Sequence, residues 1–511
     1  MVRRLYFPLF VIVAAACAVG PNYRRPSAPV PPAYKEAAPP AAAAGEWKAA
    51  QPQDAAQRGK WWEVFGDPAL NALEEQVNVS NQNVAQAEAA FRGARALARG
   101  ARAGLFPTVG TNPSATRSSG VTTHSSGASG VPAPTVTAYS LPVDLSWELD
   151  VFGRVRRSIE AGVAGAQASA ADLESVKLAM QAELAADYFA LHGLDAEKEL
   201  LDSTVAGYQK ALELTTNRFN QGVVSGIDVA QAQTQFETTR AQATDLSVAR
   251  AQVEHAIAVL VGKPAGTFAV EPSPIRVPPP AIPAGLPSEL LERRPDIAAA
   301  ERRVAAANAE IGVARAAYFP TLTLTAAAGY ASSTLSKFFS LPNRFWSLGP
   351  ALAETLFNGG KRRAGMEQAL AAYDASVAAY RESVLTSFQQ VEDNLAALRI
   401  LAEEARQQAD AVAAAERSLA MAKNQYQAGV TTYLQVITAQ NAALANESGA
   451  VTLLTRRMTA TVNLIAALGG GWRDSELPSR DAVLARVATP AAATPTPTPG
   501  PAEADPGTVQ P

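Results

Sequence analysis

Cysteine, histidine and net charge are all scarce in this chain, and each scarcity removes a class of function. Its 511 residues include one cysteine, Cys17, so no disulfide can form within the chain. The three histidines, His124, His192 and His255, stand far apart with no helical pairing and no cysteine beside them. They offer no metal site and read as surface or helix-packing residues. A formal charge of -3 leaves no basic footprint for nucleic acid. The nearest approach to a phosphate loop is Gly359-Gly360-Lys361, but Arg362 stands where Ser or Thr would hold magnesium and Thr355 replaces the upstream glycine. That segment reads as a turn into a helix. Glu148 and Asp150, about 6.6 Å apart on one strand face, fall in the range of a paired-carboxylate hydrolase, yet the polar side of an amphipathic strand accounts for them better. No catalytic residue, cofactor or metal is expected.

Long hydrophobic runs are also missing. The run from Leu5 to Ala16, preceded by Arg3 and Arg4, is too short to span a bilayer and suits a signal-peptide core, so the protein is exported. Ala14, Ala15 and Ala16 stand immediately before Cys17. Two readings compete. Cys17 is the first mature residue and carries lipid, as in the bacterial lipoproteins that this junction resembles, or ordinary cleavage leaves a free or lost thiol. A lone cysteine at this place favours lipid. By the same resemblance, Ala18 rather than Asp favours sorting to an outer membrane.

Proline is absent from two very long stretches, Ser158 to Asn217 and Lys361 to Tyr426. At 1.5 Å per residue each predicts a helix of about 90 to 100 Å. Leu370, Tyr373, Val377, Tyr380, Val384, Phe388, Val391, Leu395 and Leu398 step by three or four along the second, and Leu173, Val176, Met180, Leu184, Tyr188 and Leu191 do so along the first. Such stripes are coiled-coil seams. Each long helix turns back through a glycine tip, Gly222-Val223-Val224-Ser225-Gly226 or Gly429-Val430-Thr431-Thr432, into a second helix.

These features form a duplication. Phe106-Pro107-Thr108, Val151-Phe152-Gly153, Arg218 to Val223 and Leu260-Val261-Gly262 recur in order as Phe319-Pro320-Thr321, Leu356 to Gly360, Gln425 to Val430 and Ala467-Leu468-Gly469. A unit of about 200 residues exceeds any solenoid repeat and describes two halves of one architecture. In each half two strands follow the Phe-Pro-Thr. Tyr139, Leu141, Val143, Leu145, Trp147 and Leu149 alternate with Ser140, Asp144, Ser146, Glu148 and Asp150, long enough for a tilted membrane strand. Leu322 to Tyr330 and Trp346 to Leu356 repeat the pattern, with Glu354 breaking the last apolar face, while Val109 to Thr116 is weak by itself and is expected as a partner.

The organisation expected is a signal peptide (1–16), a lipid-anchored extended arm (17–66), a helix (67–104), a β-hairpin (105–152), a long helical hairpin (153–263), a linker (264–286), then the second helix (287–318), β-hairpin (319–357) and long helical hairpin (358–472), and a disordered tail (473–511). The fold class is mainly α with a membrane β part.

Leu291 to Ile297, Ala316-Ala317-Tyr318-Phe319-Pro320, Trp147 to Arg154 and Ala467 to Trp472, taken in order, resemble TolC-like outer-membrane efflux channels, nearest their OprM-type lipoproteins. The resemblance implies a homotrimer in which four strands per chain close a 12-stranded barrel and the helical hairpins form an α-barrel across the periplasm. It also implies an adaptor protein and an inner-membrane transporter of the resistance-nodulation-division class as partners, with outer-membrane lipid around the barrel. The adaptor would meet the tips at Gly222, Val223, Ser225, Gly429, Val430 and Thr431. Asp228, Tyr426, Gln435 and Thr438 would form the periplasmic entrance. Family members often carry acids around the second tip, whereas Thr431, Gln435 and Thr438 stand here, so a neutral hydrogen-bonded closure is expected. Asp144, Glu148 and Asp150 would face the lumen. The resulting function is passive exit of small molecules. A duct for secreted polypeptides and a non-conducting lipid-anchored scaffold are the alternatives.

Overall fold

The computed structural model describes residues 18–36, 59–119, 121–122, 131–132, 135–282 and 289–485. Cys17, the signal segment and His124 lie outside the described residues.

The duplication becomes two matched sets of elements. In the first, α1 (Pro68–Ser80) and α2 (Gln82–Ala103) precede β1 (Thr108–Thr111), β2 (Ser114–Ser118), β3 (Val136–Leu149), α3 (Arg154–Asn220) and α4 (Gly226–Leu260). The second comprises α5 (Pro295–Ala316), β4 (Thr321–Ser332), β5 (Arg344–Ala353), α6 (Lys361–Gln427) and α7 (Tyr433–Ala467). Both α3 and α6 have 67 residues, about 100 Å of helix. Both α4 and α7 have 35.

Local chemistry sets the ends. Pro68 opens α1 where its missing N–H costs nothing, and Asp67 caps it by accepting from the amides of Ala69 and Leu70. Two pairs of helices then meet end to end. The Asn81 side chain caps α2 through Oδ1 while its Nδ2 donates 2.9 Å to the Leu260 carbonyl that ends α4. In the second copy Arg294 donates 2.9 Å to the terminal carbonyl of α7 at Ala467 and forks onto Asp296 in the first turn of α5. Each junction thus satisfies orphan backbone groups with one side chain. The chain then leaves through Gly262 and Gly469, both at positive φ, where a Cβ would strike the Ser80 or Arg293 carbonyl oxygen.

The helices pack side by side in the order α2 and α4, then α3, then α5 and α7, then α6. Strand order is β1 and β2, β3, β4, β5. β1 and β2 are one strand interrupted at Asn112-Pro113: Thr111 faces Val143 and Ser114 faces Ser140, so the register continues through the break. Pro113 cannot donate to the ladder, which explains why this strand is weak in sequence.

Side-chain burial concentrates where the helix pairs meet. Tyr380, Val384, Phe388 and Val391 of the expected seam pack with Leu464, Ile297 and Val304, and each such burial contributes about 1.5–3 kcal/mol. Leu370, at the strand end of that seam, is exposed. Leu184, Leu191 and Tyr188 anchor the equivalent region of the first copy, with Trp61 and Trp62 fully buried beside Tyr188.

Two expectations need correction. Residues 473–485 are folded rather than disordered: α8 (Arg480–Leu484) buries Val483 and Leu484 against α2 and α3, and Arg95 donates to the carbonyls of Ala482 and Val483. Two apolar residues five positions beyond Pro478 outweigh the segment's poor composition. The described part of the linker, residues 264–282, is held against the helices by buried polar groups. Asp195 takes Arg250 and the Ser273 amide, the His192 carbonyl takes the Ile275 amide, and His192 is a packing residue against Tyr188. Finally, Glu354 and Leu356 lie beyond the end of β5, so Glu354 does not break its face; it pairs with Arg362 at 2.8 Å.

Candidate functional site

Register turns four modest alternating patterns into one amphipathic sheet. Val109, Leu145, Ala326 and Leu348 stand in one row across it, followed by rows containing Trp147, Leu324 and Pro350, and Val143, Ala328 and Trp346. Side chains two apart share a face, so all of these lie on one side. Gly110, Asp144, Ala327 and Ser347 form the corresponding row on the other, with Thr323, Thr325, Ser140 and Ser146. Trp346 is 74% exposed and Leu352 70%, so the apolar face has no cover among the described residues. Among the described residues no helix is long and apolar enough to cross a membrane.

The expected lumen acids separate into two kinds. Asp144 is exposed on the polar face. Glu148 sits on that face near the strand end and takes a two-pronged contact from Arg154, at 2.8 and 2.6 Å. Asp150 lies past the strand. It caps α3 by accepting from the amides of Val155 and Arg156 and from the Arg156 guanidinium. A period-two pattern cannot show where a strand stops, and this one ends at Leu149, before Asp150.

At the far end both helical hairpins turn through glycine at positive φ, Gly222 at 74° and Gly429 at 75°. Val223 and Val430 project beside them, 65% and 77% exposed. Ser225 and Asp228 form a capping box at the start of α4, so Asp228 is committed to its own helix. Thr432 makes no such cap at the start of α7. Thr431 is half-buried, Gln435 is exposed and Thr438 donates back to Leu434 within its helix. Within one chain none of these neutral residues joins the two hairpins.

The join is made by Tyr426, expected at the entrance, and by Arg218, to which the sequence assigns no role. Arg218 donates to the Tyr426 carbonyl at 3.2 Å and the Gln427 carbonyl at 3.0 Å, with its guanidinium 5.0 Å from the Tyr426 ring. Tyr426 is buried, packing against Tyr433 at 5.3 Å between ring centres with Ala232 and Val436. Burial pushes the Tyr433 hydroxyl up to about 12. Further along, Gln235 donates 2.6 Å to Asn441. A signal was available: Arg218 falls opposite Gln425 in the repeat, a charged position that only one copy has.

An apolar sheet face left uncovered by the described residues, set end-on to helices about 100 Å long, defines a class of protein with an amphipathic sheet at one end of a long helical body. The sequence profile described as outer membrane efflux protein matches residues 73–263 and 286–470, one match per copy, and the chain belongs to that family. It is 32% identical over 468 residues to outer membrane protein OprJ of Pseudomonas aeruginosa, covering 91% of this chain and 95% of that one. It is 33% identical over 465 residues to the antibiotic efflux pump outer membrane protein ArpC of Pseudomonas putida, with 90% and 94% covered. A solved structure of the outer-membrane channel OprN superposes with a TM-score of 0.79 at 31% identity, over 89% of this chain and all of that one. This is an efflux protein of the Gram-negative outer membrane, from a family of conduits rather than of enzymes.

Proposed function

We infer that the chain is one third of a passive exit duct, which receives small molecules from an inner-membrane transporter and a periplasmic adaptor and releases them across the outer membrane. The observation that carries this is the shared order of the two layers. Sheet and helical wall both run from first-copy to second-copy elements, so both end on the same two sides, β1 and β2 with α2 and α4, and β5 with α6. A sheet with open edges is not tolerated in lipid. Joining one copy's first edge to the next copy's last is a head-to-tail contact, which gives a ring where the rotation closes and so leaves no edge in lipid. Two copies would give eight strands, whose interior is filled by side chains; three give twelve and leave a lumen.

The polar face of the sheet, with Asp144, lines that lumen, and the glycine tips form the distal entrance. The adaptor docks on Gly222, Val223, Ser225, Gly429, Val430 and Thr431, where exposed valines and two turns stand free. Lipid on Cys17 fits the same scheme. Its neighbour Ala18 seats against Gly153, where a Cβ would meet Ala18, and the Val19 amide donates to Phe152 at the sheet–helix boundary. The described part of the arm then runs down the wall as far as Glu36, with the Lys35 and Glu36 amides donating to Glu392. Acyl chains at Cys17 therefore start beside the strands. The test is the native mass of the detergent-extracted protein with the mass of its dissociated subunit, followed by conductance in a planar bilayer. A trimer that carries acyl chains and conducts is expected; an unacylated monomer that conducts nothing sinks the reading.

A further inference from the structure

Cations gather where the sheet meets the helices. Within two turns of that boundary α2 carries Arg99 and Arg102, α3 carries Arg154, Arg156 and Arg157, α5 carries Arg315, and α6 carries Lys361, Arg362 and Arg363. The acids of the same band are Glu148, Asp150, Glu160, Glu310, Glu354 and Glu367, so nine cations face six acids in a chain of net charge -3.

Helix electrostatics explains only part of this. Arg102 and Arg315 sit in last turns, where the dipole favours cations. Arg154 and Lys361 open their helices, where it disfavours them, and neither first turn contains an acid. Both copies keep that placement. In-chain partners answer for Arg154, Arg156, Arg157 and Arg362, which pair with Glu148, Asp150, Glu160 and Glu354. Arg363 has the exposed Glu367 one turn on, a pair open to water on both sides. Arg99, Arg102, Arg315 and Lys361 have no ion pair among the described residues.

Depth and neighbours identify what such a band would meet. Immediately on its sheet side stand exposed Phe106, Leu356 and Phe357, and above them the uncovered apolar face. Aromatic residues at this level are characteristic of a membrane–water interface. Arg99 lies four residues, about 6 Å, from the end of α2, and Arg102, Arg315, Lys361 and Arg363 lie within about 3 Å of their helix ends. The headgroup layer on each side of a bilayer is about 5–7 Å deep. We propose that this band binds the headgroups of anionic phospholipids in the leaflet nearest the helical body, with Arg99, Arg102, Arg315, Lys361 and Arg363 as the cations that reach them. The proposal rests on the reading of the sheet as the membrane-spanning part.

The experiment reconstitutes the full-length protein in vesicles of equal phosphatidylethanolamine and phosphatidylglycerol, re-extracts it in mild detergent, and measures the lipid it retains by native mass spectrometry. Wild type retains phosphatidylglycerol in preference, and the preference falls several-fold between 0.1 and 1 M salt as the screening length shrinks from about 10 to 3 Å. Changing all five cations to Gln abolishes at least tenfold enrichment, consistent with the attraction per basic residue near an anionic surface. Changing Lys210, Arg240, Arg406, Arg417 and Lys423, exposed cations far from the band, to Gln leaves it intact. Equal loss in both variants, or no preference in wild type, overturns the proposal. Should the band variant fail to insert, the wild-type salt series decides, and a preference unmoved by 1 M salt overturns it. Wild type that inserts but shows no preference refutes the lipid site alone, whereas wild type that never inserts refutes the membrane reading with it.

Discussion

Replacing Arg218 with Gln should loosen the contact between the two hairpin tips. Its guanidinium spans from α3 to the end of α6, donating to the Tyr426 and Gln427 carbonyls and covering the Tyr426 ring. Hydrogen bonds from a charged donor contribute about 1.5 kcal/mol each at the low end, and the ring contact about 0.5–1 kcal/mol at a partly exposed site. The gross value is about 4 kcal/mol. Arg218 is only half-buried, so water takes up part of what is lost, and halving leaves about 2 kcal/mol. That changes the ratio of engaged to separated tips about thirtyfold. If the tips form the resting constriction, single-channel recordings in planar bilayers should show larger or more frequent openings for Arg218→Gln than for wild type. Arg218→Lys should fall between, because an ammonium keeps the charge but cannot fork onto two carbonyls. Arg240→Gln, which removes an exposed pair with Glu237, should match wild type. Recordings in which Arg218→Gln and Arg240→Gln are indistinguishable would refute the assignment of Arg218 as the tie.

Three further outcomes are expected. Glu74 is 0% exposed with neither carboxylate oxygen hydrogen-bonded, and burial pushes it up to about 9. The folded chain therefore holds a proton that the unfolded chain releases above about pH 4.5, so stability is lost as pH rises toward 9. Glu74→Gln should gain on wild type by a few kcal/mol between pH 5 and 8, read as a widening gap in melting temperature, and parallel pH curves would contradict this. Gly469→Ala, forced to φ 95° against the Arg293 carbonyl, should cost about 2 kcal/mol or more. Gly100→Ala, with open space in α2, should instead stabilise by about 0.5–1 kcal/mol, and thermal melts in detergent that rank the two equally would refute the junction geometry. Leu348→Arg on the apolar face should cost about 2–4 kcal/mol and reduce membrane assembly, while Ser347→Arg one residue away should not. Equal assembly of both would mean that the sheet does not face lipid.

The periodic features were legible from the residues. Proline-free length gave the long helices, period two gave β3 and β4, and glycine gave the tips. What sequence could not show was how elements meet. Asn81 and Arg294 look like ordinary polar residues until the end-to-end junctions are seen, because the carbonyl each one serves lies more than 170 positions away. Asp150 shows the same limit, because an acid beside a strand has the same letter whether it faces water or caps a helix. Arg218 was visible as part of the repeat, but its partners are backbone carbonyls, which leave no trace in side-chain pattern. The C-terminal segment was misjudged for a different reason: Val483 and Leu484 need only two neighbouring helices to bury them.

Where the two copies agree and where they part reflects what each region must fit. From Arg154 to Leu260 and from Lys361 to Ala467 every helix boundary recurs 207 positions later, whereas Gln82 and Thr108 recur at 213, as Pro295 and Thr321. The six-residue difference falls within the strand hairpins, between Thr108 and Arg154 and between Thr321 and Lys361, while the helices keep their lengths. An insertion of one residue in α3 or α6 would turn every later side chain by 100° and raise the tip by about 1.5 Å. Seam residues would leave the seam, and one tip would stand out of level with the other. Length is therefore fixed along the helices while sequence is free to diverge at their ends. That freedom has been used at the tips, where one copy carries the capping box and the tying arginine and the other supplies the tyrosine and carbonyls it holds. Loss of Arg218 should therefore free the second tip from the first, since the tie lies between them.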